Sequence, residues 1–307
     1  MFSFMKSGIG LSCGLLCACL LTGAVAPDAQ RRTAQAKTAA STRANPAPAN
    51  PEPVAPAPAT LKPVNIAINV NRHLKSTDGT MLLYLRSGVW KPGGALLMRD
   101  RRYFTSFEGV QKGTKLTLNS FDGERGMDAP PDLTMQGEVH LLDNEVTLAI
   151  KDNRDGKVRN MRFVPNIAVP DRPLIKIRLF GYHNAASHRD RITRIEIRDY
   201  RSDKRLQTLT GFWAEPVAYV DYEDINYDGY MDLRILQDFD TDKYLYWLYN
   251  PTTRSFARAP DFEARSGYLT TRFWCNQIDF HMGSTYRMEK GKFRKEPWVC
   301  EPFDGLE

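Results

Sequence analysis

Beyond position 63 the hydrophobic residues recur in short alternating runs, and this pattern predicts strands. Apolar and polar residues alternate with a period of two, as in 115–120 and 145–151, and no long run has the 3.6-residue period of an amphipathic helix. Pairs such as Asp78-Gly79 and Asp122-Gly123 separate the runs and favour tight turns. The chain is therefore predicted to be all-β.

The predicted strands fall into two sets divided by prolines at 165, 170 and 173. The first set lies at 64–70, 81–85, 95–98, 102–107, 115–120, 133–139, 145–151 and 158–163, and it indicates an antiparallel sandwich or barrel. The second set lies at 174–180, 191–200, 207–210, 217–220, 232–237, 244–250, 255–258, 274–280, 283–289 and 292–298. We therefore predict an N-terminal β domain over 64–165 and a C-terminal β domain over 170–307, where the strand rhythm permits a degenerate propeller.

The first residues predict export. Lys6 precedes an apolar run from Gly8 to Leu21, and small residues follow it, so 1–26 is interpreted as a signal peptide too short to span a membrane. A lipoprotein signal is the alternative, because Leu16 lies three positions before Cys19. The expected location is the periplasm or the exterior, with outer-membrane attachment if Cys19 is lipidated.

Two compositional features follow the signal. Residues 27–63 are rich in Pro and Ala and are predicted to form a disordered spacer. Of the formal charge of +6, most lies in residues 1–62, which carry six Lys and Arg against two Asp and Glu. The remaining 36 basic and 34 acidic residues form no basic stripe, so no nucleic-acid partner is expected.

The cysteines agree with an oxidising compartment. Three of the five belong to the signal segment, and the other two, Cys275 and Cys300, form an even pair without a CxxC motif. We expect them to form one disulfide, which would stabilise the fold by roughly 3 kcal/mol. A zinc site or a catalytic thiol is the alternative.

The clearest chemical motif is an oxygen-rich loop. Calcium takes 6–8 oxygen ligands, and a tight loop can supply them from positions 1, 3, 5, 7 and 9, with glycine at position 6. The chain has Gly229 at position 6, and the predicted ligands are Asp224, Asn226, Asp228, the carbonyl of Tyr230, and Asp232. The sequence thus predicts one Ca²⁺ site, while a turn that hydrogen-bonds its own backbone is the alternative.

The loop differs from a helical EF-hand at position 12, which is Ile235 instead of a bidentate glutamate. The loop is therefore expected to open a strand, and its remaining oxygens must come from elsewhere. The candidates are Asp221, Glu223 and the later Asp238, Asp240 and Asp242.

This loop, followed by the segment Tyr244-Leu-Tyr-Trp247-Leu-Tyr249-Asn250, resembles a family of bacterial exported calcium-binding, β-propeller-like proteins. That family is related to the Xanthomonas periplasmic immunity protein, which inhibits a type IV-secreted lysozyme-like effector. The resemblance covers about residues 174–307 and implies that Asp224, Asn226, Asp228 and Asp232 are metal ligands. It assigns no inhibitory residue.

We expect no enzymatic activity. His183 and His188 are five positions apart with no predicted helix to bring them together, and no nucleophile, phosphate-loop or zinc-protease motif occurs. The sequence instead favours an exported, calcium-stabilised binding protein, with a secreted lysozyme-like hydrolase as the expected partner. The alternative is a structural envelope module that has no inhibitory target.

Overall fold

The protein is all-β, as the alternating pattern predicts. The structure is a computed structural model, and it describes residues 60–121, 129–186, 188–216, 219–265, 267–280, 284–289, 292–297 and 299–300. Within these ranges the helical elements are a 3₁₀ turn at Arg99–Arg101 and a one-turn helix, α1, at Pro260–Glu263. None of the helices among the described residues is long and apolar enough to cross a membrane.

The first large unit is a closed antiparallel barrel of eight strands. The strands after β1 (Lys62–Val64) are β2 (Ala67–Ser76), β3 (Met81–Ser87), β4 (Gly93–Met98), β5 (Tyr103–Lys112), β6 (Lys115–Phe121), β7 (Leu133–His140), β8 (Glu145–Asp152) and β9 (Val158–Pro165). Each of β2 to β8 pairs with the strand that follows it, and β9 pairs with the end of β2, from Leu74 to Ser76, to close the barrel. The predicted N-terminal sandwich or barrel is therefore a barrel.

Alternation along each strand fills the barrel interior. In β6 the side chains of Leu116 and Leu118 are buried, while those of Lys115, Thr117 and Asn119 are exposed. An eight-stranded barrel is just wide enough for side chains to fill it. The core contains Leu74, Leu83, Leu96, Phe107, Leu118, Met135, Leu148 and Phe163, all at most 2% exposed.

The barrel sheet continues into the C-terminal half through strand β2. The next strands are β10 (Ile175–Asn184), β11 (Arg189–Asp199), β12 (Arg205–Leu209), β13 (Tyr219–Glu223), β14 (Asp232–Asp238), β15 (Lys243–Asn250) and β16 (Ser255–Arg258). The beginning of β2 pairs in parallel with β13, from Ala67 opposite Tyr219 to Asn71 opposite Glu223. The end of β2 belongs to the barrel, so one strand serves both halves of the sheet.

A second sheet, in the order β1-β10-β11-β12, covers one face of β13–β16. A bulge at Thr193 shifts the register of β11, so that Gly181 pairs with Ile192 and Phe180 with Arg194. The extra residue keeps Ile192 and Ile195 on the same buried face although they are three positions apart. The imperfect alternation in 191–200 arises from this bulge.

A third sheet packs on the other face of β14 and β15. It contains β17 (Leu269–Arg272), β18 (Gln277–Phe280), β19 (Thr285–Glu289) and β20 (Lys292–Lys295). Alternate residues of β15 face the two sides: Leu245 and Trp247 face the second sheet, and Tyr246 faces the third. Near this sheet Cys275 and Cys300 lie at disulfide distance, with their Cα atoms 6.8 Å apart.

The predicted signal peptide and most of the predicted spacer lie outside the part of the chain that the structure describes. The signal peptide 1–26, with Cys19, and spacer residues 27–59 lie outside the described residues. The last residues of the predicted spacer, Lys62 and Pro63, belong to β1, which pairs with β10. Strand pairing of β1 and β2 thus joins residues 62–71 to strands beyond 170.

We predict that Leu118→Ala lowers the free energy of unfolding by about 2–5 kcal/mol, because it leaves a cavity in a filled barrel. Leu206→Ala is the matched control, since Leu206 is 54% exposed on β12. Its cost should stay within about 0.5 kcal/mol. Urea denaturation of both variants measures the difference; equal losses would contradict the assignment of Leu118 to the barrel interior.

Candidate metal loop and buried polar network

The segment from Asp224 to Tyr230 forms a tight loop between β13 and β14. Both carboxylate oxygens of Asp224 accept backbone N–H groups, from Asp228 at 3.1 Å and from Gly229 at 2.9 Å. Asn226 Oδ1 accepts the Asp228 N–H at 3.1 Å, and Asp228 Oδ1 accepts the Tyr230 N–H at 2.8 Å. These bonds bend the backbone around the acidic side chains.

Glycine is required at position 229 for two reasons. Its φ is +89°, in the left-handed region that favours glycine. A Cβ atom there would also collide with the side chains of Ile167 and Val169, which pack against the loop. The predicted role of Gly229 as the turning residue therefore agrees with its conformation and its packing.

Asp232 is at the base of the loop, at the start of β14, and is completely buried. Its Oδ2 accepts the Ile225 N–H at 3.0 Å, and its Oδ1 accepts the Tyr249 N–H at 2.8 Å. The carboxylate thus joins the loop to β15, and each of its oxygens retains a second lone pair.

The loop concentrates negative charge in a poorly solvated place. Burial raises the pKa of Asp224 to about 6 and raises the pKa of Asp228. Burial, followed by the charges of Asp224 and Asp228, raises the pKa of Asp232 well above its ordinary value. None of the three carboxylates forms an ion pair with a described residue, so a bound cation would offset their mutual repulsion.

The donor chemistry of the loop fits calcium, since carboxylate and amide oxygens are what this ion prefers. Asp224, Asn226 and Asp228 would hold it, together with the Tyr230 carbonyl. Across the described ranges, however, no three Asp, Glu, His or Cys side chains converge as a metal-binding group. Asn226 and Asp228 instead hydrogen-bond each other, Nδ2 to Oδ2, at 3.0 Å.

Four of the five further candidates for the ion's shell, Asp221, Glu223, Asp238 and Asp242, have other partners, and the fifth, Asp240, is in the turn between β14 and β15. Asp221 Oδ2 accepts two hydrogen bonds from Arg234, at 2.8 and 3.0 Å, and its Oδ1 accepts one from Asn69 at 2.6 Å. Asp238 and Asp242 bind residues of the β14–β15 turn and Tyr268. Alternation explains this: Asp221 faces β2 and β14, away from the loop that follows its strand.

Glu223 belongs to the same buried network. Its Oε2 accepts from Asn71 at 2.9 Å, and its Oε1 contacts His73 Nε2 at 3.0 Å and the Thr271 hydroxyl at 2.5 Å. Burial opposes its ionisation, but the hydrogen bond and charge of His73 and the charge of Arg234 hold the pKa of Glu223 below its ordinary value. Glu223 is therefore an ionised structural carboxylate.

Arg234 is the cation at the centre of this network and is 1% exposed. Besides its bonds to Asp221 it donates to the Leu269 carbonyl at 2.8 Å, and it lies 3.8 Å from Glu223. Burial opposes its charge, but Asp221, Tyr268 and Glu223 raise its pKa above the ordinary value. The alternation of β14 indicates that Arg234 shares a face with Asp232, yet the sequence alone does not identify its partners.

His73, Glu223 and Thr271 have the residue types of a catalytic triad but not its geometry. A single nitrogen, Nε2, meets both the carboxylate and the hydroxyl, whereas a relay needs the two ring nitrogens to contact different groups. The ring is stacked on Phe273, with centroids 4.9 Å apart. The adjoining cavity of about 10 Å³ holds at most one water, so this cluster has no room for a substrate.

The histidines singled out in the sequence remain apart from this network. His183 contacts Asp190 at 3.2 Å on the exposed end of the β10–β11 hairpin, and His188 is in the turn of that hairpin with a φ of 54°.

Comparison of the chain with protein-family models, with curated proteins and with solved structures finds no match.

We predict that Arg234→Met lowers the free energy of unfolding by about 3–5 kcal/mol, because it leaves Asp221 and Glu223 buried without their cation. Arg258→Met is the control, since Arg258 pairs with Glu263 at the surface and its loss should cost under about 1 kcal/mol. Chemical denaturation measures both. Similar small losses would show that the network does not stabilise the fold.

Proposed function

We propose that this chain is an exported, calcium-stabilised binding protein without catalytic activity of its own. The observation that carries the proposal is the Asp224–Asp232 loop, where three carboxylates share a poorly solvated turn and form no ion pair with a described residue. Export is supported by the hydrophobic segment near Lys6 and by the cysteine pair Cys275–Cys300.

Calcium would act on the fold as a whole through this loop. The loop packs on Ile167 and Val169, which follow the barrel, and Asp232 accepts a hydrogen bond from Tyr249 on β15. A cation that binds only the folded loop stabilises the protein by mass action. The bound calcium would hold the barrel and the C-terminal sheets in one arrangement, so that the surface presented to a partner is rigid.

The partner we propose is a secreted lysozyme-like hydrolase, which makes the chain a periplasmic immunity protein. The support is the resemblance of the loop and of the Tyr244–Asn250 segment to that family. We also propose that the successive meanders β10–β12, β13–β16 and β17–β20 are degenerate propeller blades. Each is an antiparallel set of strands, and the middle set packs face to face with the other two.

We predict that calcium raises the melting temperature of the full chain by about 5–10 °C at a hundredfold excess over Kd, and that chelator reverses this. Asp228→Asn should abolish the calcium-dependent rise. In chelator the variant should melt no lower than wild type, because it removes a repelling charge.

Asp155→Asn is the matched control for that experiment. Asp155 is an exposed turn aspartate that accepts the Lys157 N–H at 3.0 Å, outside the loop. Its calcium response should equal that of wild type. A calcium-dependent rise retained in Asp228→Asn, or no rise in wild type, would remove the metal assignment.

The inhibitor proposal predicts that the purified chain inhibits a lysozyme-like hydrolase encoded near its gene. Muramidase activity, measured with the chain in calcium and again in chelator, tests this. Inhibition that weakens in chelator supports the role of the loop. A calcium-stabilised chain that inhibits none of a panel of such hydrolases would instead favour the structural envelope module.

A further inference from the structure

A half-open groove lies between the barrel and the second sheet, on the side of β2 opposite the buried polar network. Along β2, residues Asn69, Asn71 and His73 face the network, so the alternate residues face the groove. About 320 Å³ of it is open, a volume at the lower end for small-molecule sites. Its apolar walls come from Ile68, Val70, Leu174, Ile175, Ile177 and Met231.

One end of this groove contains a buried cation without an anion. Arg72 is 3% exposed, and its hydrogen bonds go to neutral groups, from Nε to Asn144 Oδ1 at 2.8 Å and from Nη1 to the Ser87 hydroxyl. No carboxylate of the described residues lies within ion-pair distance of it. Burial, opposed in part by Tyr222 and assisted by the charge of Arg172, lowers the pKa of Arg72 to about 10. A buried guanidinium of this kind is costly unless an anion accompanies it.

Arg172 places a second guanidinium at the same end. It donates to the Gly229 carbonyl at 2.9 Å, while its buried Nε has no hydrogen-bond partner among the described residues. Lys176 also lines the groove, although it is partly engaged by Asp203 at 3.8 Å. Two guanidinium groups that repel each other form a site that one shared anion would neutralise.

The mouth of the groove carries exposed apolar side chains. Leu141 and Leu142 are at the tip of the β7–β8 hairpin, 47% and 52% exposed, where turns ordinarily carry polar residues. Tyr200, on the opposite wall, is 38% exposed. Apolar surface at the opening of an apolar groove indicates that the occupant is itself apolar along its length.

We propose that this groove binds a single-chain amphiphile with a carboxylate head, such as a medium-chain fatty acid. The carboxylate would lie between Arg72 and Arg172, whose planar donors match its two oxygens, and the alkyl chain would lie along β2 and β10 towards Leu142. This inference does not depend on the calcium or the inhibitor proposal. It assigns the chain a ligand that neither of them requires.

The test is isothermal titration calorimetry of the full chain with decanoate, 1-decanol, decylamine and acetate, each below its solubility or micelle limit. Decanoate should bind, and decanol and decylamine should bind at least about tenfold more weakly, because they cannot pair with the guanidinium groups. Acetate should not bind measurably, because it has no chain. Equal binding of decanoate and decanol, or of decanoate and acetate, would overturn the proposal.

Two variants locate the site. Arg72→Met removes the guanidinium group but keeps an unbranched side chain, and it should reduce decanoate affinity by at least about tenfold while leaving decanol affinity unchanged. Leu142→Asp, at the surface, should weaken both ligands and retains the fold, so it remains informative if Arg72→Met does not fold. Val158→Asp is its control, since Val158 is 56% exposed and does not line the groove. Unchanged decanoate affinity in Leu142→Asp would place the ligand elsewhere.

Discussion

The ion pair between Arg234 and Asp221 is the interaction on which the junction of the barrel strand β2, strands β13 and β14, and the third sheet depends. Arg234 on β14 donates to Asp221 on β13 and to the Leu269 carbonyl on β17. Asp221 in turn accepts from Asn69 on β2, the strand that continues into the barrel. One desolvated guanidinium therefore connects the barrel strand β2, strands β13 and β14, and the third sheet. Because its charge is buried, each partner must be in place before the others are stable.

The strands of the barrel could be predicted from the sequence because their physical cause is local. Alternation with a filled interior marks each strand, and seven of the eight predicted strands coincide with β3 to β9. The eighth, 64–70, covers parts of β1 and β2, because Asn65 and Ile66 between them interrupt the pairing. Closure of the barrel and the parallel β2–β13 pair could not be predicted, since they depend on contacts between residues distant in sequence. The strand β17 lacks a clear alternation and was not predicted.

The loop could be recognised from the sequence and the groove could not, because the loop is built from neighbouring residues and the groove from distant ones. Asp224, Asn226, Asp228 and Gly229 are adjacent in sequence, so their turn can be recognised from spacing alone. Asp221 and Glu223 are adjacent to that motif but face another way, because side chains alternate along β13. The groove brings together Arg72, Leu142 and Arg172 from three distant segments. No local pattern marks these residues, and only the packed structure shows that Arg72 lacks an anion.

The sharing of β2 between barrel and sheets also sets the order in which the chain can fold. Asn69 lies 152 positions before its partner Asp221, a separation that takes about 8–30 s to synthesise. Until then the edge of β2 from Ala67 to Asn71 that faces β13 has no partner strand, and Asn69 and Asn71 lack the carboxylates that bind them in the folded protein. Native pairing of this strand must therefore wait for the C-terminal third of the chain. A truncated product would expose an unpaired strand edge that can pair with another chain. Folding of the full chain is expected to be slow, because it depends on contacts between residues distant in sequence.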